Sequence, residues 1–176
     1  RLVERRGQLM QEAVPAGTGG MAAILGLDDA DVQAACAEAA QGEVVSAVNF
    51  NAPGQVVVAG SAAAVERAIE ACKARGAKRA MPLPVSVPSH CELMRPAAEQ
   101  FAQALAAVVW HKPNIALVQN VSAEVVTDLA VLEQNLLAQL YSPVRWVESM
   151  VCLAAQGVTD VVECGPGKVL SGLNKR

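Results

Sequence analysis

A chain of 176 residues is long enough to enclose one sizeable core or two small lobes. Hydrophobic residues make up 53% of it and aromatics only 3%, so Ala and Val supply most of the apolar surface, which suits close helix–sheet packing and excludes a disordered chain. A formal net charge of −3 gives no electrostatic basis for nucleic acid or an anionic membrane as a general partner, and no apolar run approaches the roughly 18 residues that span a bilayer.

The chain opens on "RLVERRGQLMQEAV", where Leu2, Val3, Leu9, Met10 and Ala13 recur at helical spacing up to Pro15. This stretch is charged and amphipathic, unlike a secretory signal. It starts inside its own helical pattern with no initiator Met, as expected of a fragment. "PAGTGG" reads as a loop, and "GTGG" lacks the context of a phosphate loop and reads as a linker. A compact alternation follows: strand "MAAILGL", helix "DDADVQAACAEAA", strand "EVVSAVNF", turn "NAPG", strand "QVVVAG", helix "SAAAVERAIEACKARG" and the extended "AKRAMPLPV". Ser61 is the expected N-cap and Gly76 the expected C′ residue of the second helix. The order β-α-β-β-α-β is that of a ferredoxin-like unit.

Beyond residue 84 the pattern changes. A helix is expected from just after His90 to about Val109, with Leu93, Ala97, Phe101, Leu105 and Val108 on one face. Ser89 and Glu92 stand at capping-box spacing, with Pro96 able to delay the regular helix by a turn. "IALVQNV" reads as a buried strand, "DLAVLEQNLLAQLY" and "SPVRWVESMVCLAAQG" as helices, "VTDVVECG" as a strand and "PGKVLSGLNK" as a last helix. Such strand–helix alternation predicts a parallel sheet. The fold class is therefore α/β, a larger domain interrupted by an α+β insert.

The cysteines are Cys36, Cys72, Cys91, Cys152 and Cys164. Their odd number, irregular spacing and lack of C-x-x-C argue against a disulfide framework or a zinc site and point to a reducing cytosol. His90 lies at a loop–helix junction and can serve as a general base, since its ordinary pKa is near 6.5. Its bland alternative is a histidine that caps or packs. Arg6 shares its helix with Arg1 and Arg5. It is either solvated like most such charges or turned inward to grip a carboxylate in a bidentate fork. "ECGPGKVLSG" could form an anion nest but lacks the Walker spacing, so a tight strand-to-helix turn is the preferred meaning. In "NFNAPG", Asn49 and Asn51 flank Phe50 and could offer amides on a shared strand face. The elbow G-x-S-x-G occurs nowhere in these residues.

Five blocks, "RRGQLMQEAVPAGTGGMAAILGL", "VNFNAPGQVVVAG", "GAKRAMPLPVSVPSH", "AQLYSPVRWVESM" and "ECGPGKVLSGLNKR", closely resemble the bacterial malonyl-CoA:acyl carrier protein transacylases, in order and from end to end. The resemblance implies a partial α/β-hydrolase-like large subdomain, residues 1–16 and 85–176, with an inserted ferredoxin-like subdomain at 17–84. It implies ping-pong transfer of malonyl from malonyl-CoA to the thiol of acyl carrier protein by a Ser–His pair. His90 falls on the catalytic histidine and Gln139 on the glutamine that orients it through its backbone carbonyl. Arg6 falls on the arginine that binds the malonyl carboxylate. Asn49 and Asn51 fall in the cleft that receives the pantetheine arm and acyl group, and Met10 joins the substrate-binding candidates. The serine of G-H-S-x-G-E has no counterpart in these residues.

Coenzyme A and phosphopantetheine thioesters are substrates in this chemistry, and no cofactor or metal is expected. The partners implied are malonyl-CoA and acyl carrier protein, in the cytoplasm, for an enzyme that is a monomer at full length. Lys78 and Arg79 are the candidate contact for the acidic carrier protein, with a salt-bridged surface as the alternative. Two other readings stay open: a polyketide-synthase-type acyltransferase domain, and a non-catalytic fragment that only binds carrier protein.

Overall fold

The computed structural model describes residues 1–85 and 87–175; Ser86 and Arg176 lie outside the described residues. Helix α1, Leu2–Ala13, ends where Val14 turns extended ahead of Pro15. Then come β1 (Gly19–Leu25), α2 (Asp29–Ala40), β2 (Val45–Ala52), β3 (Gln55–Ser61), α3 (Ala62–Ala74) and β4 (Arg79–Pro82). These four strands form one antiparallel sheet in the order β2-β3-β1-β4, the arrangement of a ferredoxin-like unit. Ser61 takes the N-cap position of α3 without a side-chain hydrogen bond, and Gly76 follows the C-cap with φ +96°.

Strand alternation divides the side chains of this sheet between two cores. Val56 and Val58 of β3 join Ile24, Val32, Cys36, Val65, Ile69 and Cys72 beneath α2 and α3. Val57 and Ala59 point the other way and pack with Met21, Val48 and Cys91. The second face of the sheet is thus covered by the residue next to His90. At Gly60 β2 comes so close that a Cβ would lie 2.0 Å from the Val44 carbonyl oxygen. Glycine is required there.

The remainder is built on α1 packing against α4, Arg95–Ala106, through Leu9, Met10, Val14, Met94, Ala97, Phe101, Leu105 and Leu140. A short antiparallel pair, β5 (Leu117–Val118) and β6 (Val125–Val126), precedes α5 (Leu129–Ala138), α6 (Trp146–Ala155) and the five-residue α7 (Val169–Leu173). Among the described residues no helix is long and apolar enough to cross a membrane.

Several expectations are corrected. β1 begins at Gly19 rather than Met21, so "GTGG" is a linker only through Thr18. A Cβ on Gly19 would stand 2.6 Å from the Pro88 ring, which explains the glycine. The capping box does not form: Glu92–Met94 is a 3-10 turn, α4 starts a turn late at Arg95 beside Pro96, and Glu92 pairs with Arg95 instead. α4 also stops at Ala106, because its inward face runs out at Leu105 before the β-branched pair Val108–Val109. Of "IALVQNV" only Leu117–Val118 is strand, and Ile115 is 83% exposed. "VTDVVECG" forms no strand, and Val162 is 82% exposed. Among the described residues these runs do not pair with each other, and parallel pairing is confined to the single bridge Asn49–Val144. An apolar run reports burial potential, not the presence of a neighbouring strand. The α/β class with a ferredoxin-like unit stands.

Candidate active site

The turn before α4 places His90. Pro88 is buried against Gly19, and the Cys91 thiol, 1% exposed, donates to the Pro88 carbonyl over 3.1 Å. Between them His90 adopts φ +68°, a left-handed conformation that costs a non-glycine residue about 1 kcal/mol. Two contacts offset that strain. The His90 amide donates to the Leu140 carbonyl at 3.0 Å, and its ring Nδ1 lies 2.6 Å from the Gln139 carbonyl oxygen. A carbonyl only accepts, so Nδ1 carries the hydrogen and the neutral ring presents Nε2 as a lone pair. Burial, the leading cause, and the positive charge of Arg6 hold the imidazole pKa below its ordinary 6.5, against the raising effect of Gln139. The ring is therefore a neutral base near pH 7. Cys91 offers no competing nucleophile, because burial pushes its thiol up to about 11.

Arg6 stands apart from its neighbours on α1. Arg1 and Arg5 are exposed, and Arg5 lies 3.9 Å from Glu12. Arg6 is half-buried, its pKa lowered by desolvation, and among the described residues it makes no ion pair. A half-buried guanidinium that meets no carboxylate, with its charge felt at His90, is able to take an anion. Met10, one turn further along α1, is 8% exposed within the α1–α4 core, where its first duty is packing.

Gln139 is the C-cap residue of α5, and residues 139–145 run from there as a strap. Its far end is tied to the sheet: Val144 donates to the Val48 carbonyl at 2.8 Å and accepts from the Phe50 amide at 3.0 Å. Arg145 completes the anchorage, with its guanidinium on the Ser122 carbonyl at 3.0 Å and on Glu148. The helix expected from Ser142 hides this strap: α6 begins only at Trp146. Asn49 bridges to Val144, and Asn51 lines a cavity of about 370 Å³ with Pro53, Trp146 and Met150. Register shifts between Ala47 and Asn49 and between Phe50 and Ala52 break the strict alternation on which a shared asparagine face depends.

The structure thus brings His90, Gln139 and Arg6 together, with Asn49 joined to them through the strap. Lys78 and Arg79 are not part of this group. They are exposed at the start of β4, on the sheet edge opposite β2, about 14 Å away across three strand spacings. Neither makes an ion pair among the described residues. No group of three or more His, Cys, Asp or Glu among the described residues is arranged to hold a metal.

The family model of the acyl transferase domain matches residues 1–173. The malonyl CoA-acyl carrier protein transacylase of Salmonella typhimurium is 60% identical over 176 residues, covering 100% of this chain and 57% of that protein. A crystal structure of an acyl carrier protein S-malonyltransferase from Vibrio cholerae superposes with TM-score 0.96 at 60% identity, over 99% of this chain and 57% of that one. A malonyl-transacylase in complex with a type II PKS acyl-carrier protein superposes with TM-score 0.98 at 55% identity, over 100% of this chain and 57% of the other. The chain thus spans little more than half the length of these relatives. It belongs to the acyl transferase domain family.

Proposed function

We propose that this chain is the histidine-bearing part of a malonyl-CoA:acyl carrier protein transacylase of fatty acid synthesis. The observation that carries the reading is the neutral His90, fixed by the Gln139 carbonyl, beside the unpaired Arg6. The names of its relatives, transacylases acting between malonyl-CoA and acyl carrier protein, support it.

In this mechanism the serine comes from sequence outside these residues. His90 Nε2 takes the serine hydroxyl proton as the oxygen attacks the malonyl thioester. The proton then passes to the departing coenzyme A sulfur, leaving malonyl-serine. In the second half, the same nitrogen takes the proton of the carrier protein's phosphopantetheine thiol, the sulfur attacks the acyl-serine, and the proton returns to the serine oxygen. Each step exchanges one ester or thioester bond for another and calls for no metal or redox cofactor. Arg6 grips the free malonyl carboxylate and selects against acetyl, which would leave the guanidinium unpaired. Asn49, Asn51 and Met10 shape the acyl and pantetheine cleft, and Lys78 and Arg79, on the sheet edge away from it, meet the acidic carrier protein.

Residues 17–84 form the small subdomain and residues 1–16 with 85–176 parts of the large one, a division supported by the closure of the four-stranded sheet within Gly19–Pro82. On this reading the enzyme acts in the cytoplasm and is a monomer at full length. A second reading, in which the accepting carrier protein serves polyketide synthesis, draws support from the relative in complex with such a carrier. Full-length protein mixed with radiolabelled malonyl-CoA and each holo carrier protein decides between acceptors. His90→Ala should cut transfer by about 100-fold or more. The 176-residue chain alone should take up no hydroxylamine-sensitive label, and stoichiometric labelling would overturn the proposal.

A further inference from the structure

The buried amide of Gln119 takes no part in the reading above, yet it lies at the root of the segment that holds His90. Gln119 is 8% exposed and follows β5 in a tight turn closed by Ala123 N–H on the Gln119 carbonyl at 2.8 Å. Its side-chain Nε2 donates to the main-chain oxygen of Leu132 at 3.1 Å, and its Oε1 accepts from Asn135 Nδ2 at 2.9 Å. Both partners belong to α5. The Asn135 carbonyl accepts the Gln139 amide at 3.0 Å, and Gln139 and Leu140 present the carbonyls that hold His90. The same turn grips the far end of the strap, because the Arg145 amide donates to the Asn120 carbonyl at 3.1 Å. A buried amide with both ends engaged has one orientation, and it transmits that orientation to what it binds.

We propose that Gln119 is a positioning residue for His90: its amide docks the last turns of α5 so that the Gln139 carbonyl meets the imidazole Nδ1. The proposal rests on His90 being the general base. A side chain of similar size without the amide would fill the space but leave Asn135 Nδ2 without its acceptor and the Leu132 carbonyl without the Gln119 donor. The end of α5 is then free to shift, and a displacement of about 1 Å at Gln139 is enough to release the ring and cost a large factor in rate. The charged groups around His90 are Arg6 on α1 and the mutually paired Glu92 and Arg95 that follow it in the chain. None of them contacts Gln119, so a substitution there reaches the ring through Gln139.

The test uses the full-length enzyme. Gln119→Met should lower kcat of the malonyl-CoA half-reaction about 10- to 30-fold with KM unchanged. It should also move the acid limb of kcat/KM to lower pH, because the Gln139 contact that raises the His90 pKa is loosened. Asn135→Ala, at a half-buried position where folding is less at stake, should give the same signature. Gln119→Glu, which keeps an acceptor for Asn135 but turns a buried carboxylate oxygen onto the Leu132 carbonyl, should not restore kcat. In a His90→Ala background Gln119→Met should cause no further loss. Full activity in His90→Ala itself would remove the base reading and this proposal with it. If His90→Ala is inactive but Gln119→Met and Asn135→Ala leave the acid limb unmoved, or lose activity only in proportion to lost folded protein, Gln119 supports the fold alone and the proposal fails. Should Gln119→Met not fold, the kcat and acid limb of Asn135→Ala decide.

Discussion

The ring Nδ1 of His90 lies 2.6 Å from the main-chain carbonyl oxygen of Gln139, a residue 49 positions further along the chain. Because the acceptor is backbone, substitution of the Gln139 side chain leaves the contact in place, and its geometry is set by where α5 ends. That contact fixes the tautomer and orientation of the half-buried ring, while burial keeps the ring neutral and makes the site sensitive to pH in a definite direction.

Burial holds the His90 pKa below its ordinary 6.5. Below about pH 6.5 the unfolded chain therefore binds more protons at this residue than the native one does. Stability from the neutral ring is intact above that value and is lost as pH falls through the lower native pKa. Denaturant melts from about pH 7 to about pH 5 should show falling stability, less steeply in His90→Gln. In the full-length enzyme the acid limb of kcat/KM should lie below 6.5; a limb above it would contradict this account of the ring.

Glycine substitutions separate close packing from helix preference. A Cβ on Gly60 would lie 2.0 Å from the Val44 carbonyl oxygen and 2.6 Å from the Val45 Cα, backbone atoms that cannot rotate aside. Gly60→Ala should cost about 3 kcal/mol of unfolding free energy. Gly7, inside α1, has nothing within 4 Å of its Cβ position. Gly7→Ala should raise the stability of the chain by up to about 1 kcal/mol. Urea titrations of the two variants measure both; a Gly60→Ala variant as stable as the parent would show that the sheet contact is not tight, and a destabilised Gly7→Ala would contradict the helix-preference argument.

Much of this organisation is legible in the amino-acid sequence. The β-α-β-β-α-β order reads from turn residues and periodicity, since the four strands find their ladder partners within Gly19–Pro82, where local pattern and tertiary pairing agree. Elsewhere pattern and pairing part company. The runs around Val118 and Val162 have strand composition, but strand formation needs a neighbour, and sequence composition does not say where one is. His90 and Arg6 could be singled out as residue types, whereas Gln119, Asn135 and the strap could not. Gln119 bonds the Asn135 side chain and the Leu132 carbonyl, and the strap bonds β2 through its backbone, contacts that polar groups at those positions could equally have made with water.

The cationic pair Lys78–Arg79 is exposed and free of ion pairs among the described residues, which disfavours a salt-bridged surface as its explanation. In the full-length enzyme, reversing both charges should raise KM for carrier protein and weaken its salt dependence, leaving the coenzyme A half-reaction nearly unchanged. Steady-state kinetics at two ionic strengths measures this. Equal loss in both half-reactions would place the pair in the structure or against coenzyme A.

Arg6, half-buried and without an ion pair near His90, is proposed as a carboxylate clamp. Arg1 and Arg5 lie at other angles on α1, one residue being about 100° of rotation, and cannot replace it. The most direct measurement is kcat/KM of the full-length enzyme for malonyl-CoA and for acetyl-CoA, in wild type, Arg6→Ala and Arg6→Lys. Loss of a charge-assisted pair worth ~3 kcal/mol predicts a malonyl rate reduced about 100-fold or more in Arg6→Ala, partly restored in Arg6→Lys for want of the planar fork. Acetyl transfer should be equal or faster once the unpaired cation is gone. Malonyl and acetyl rates that fall in parallel would show that Arg6 holds the fold and not the substrate.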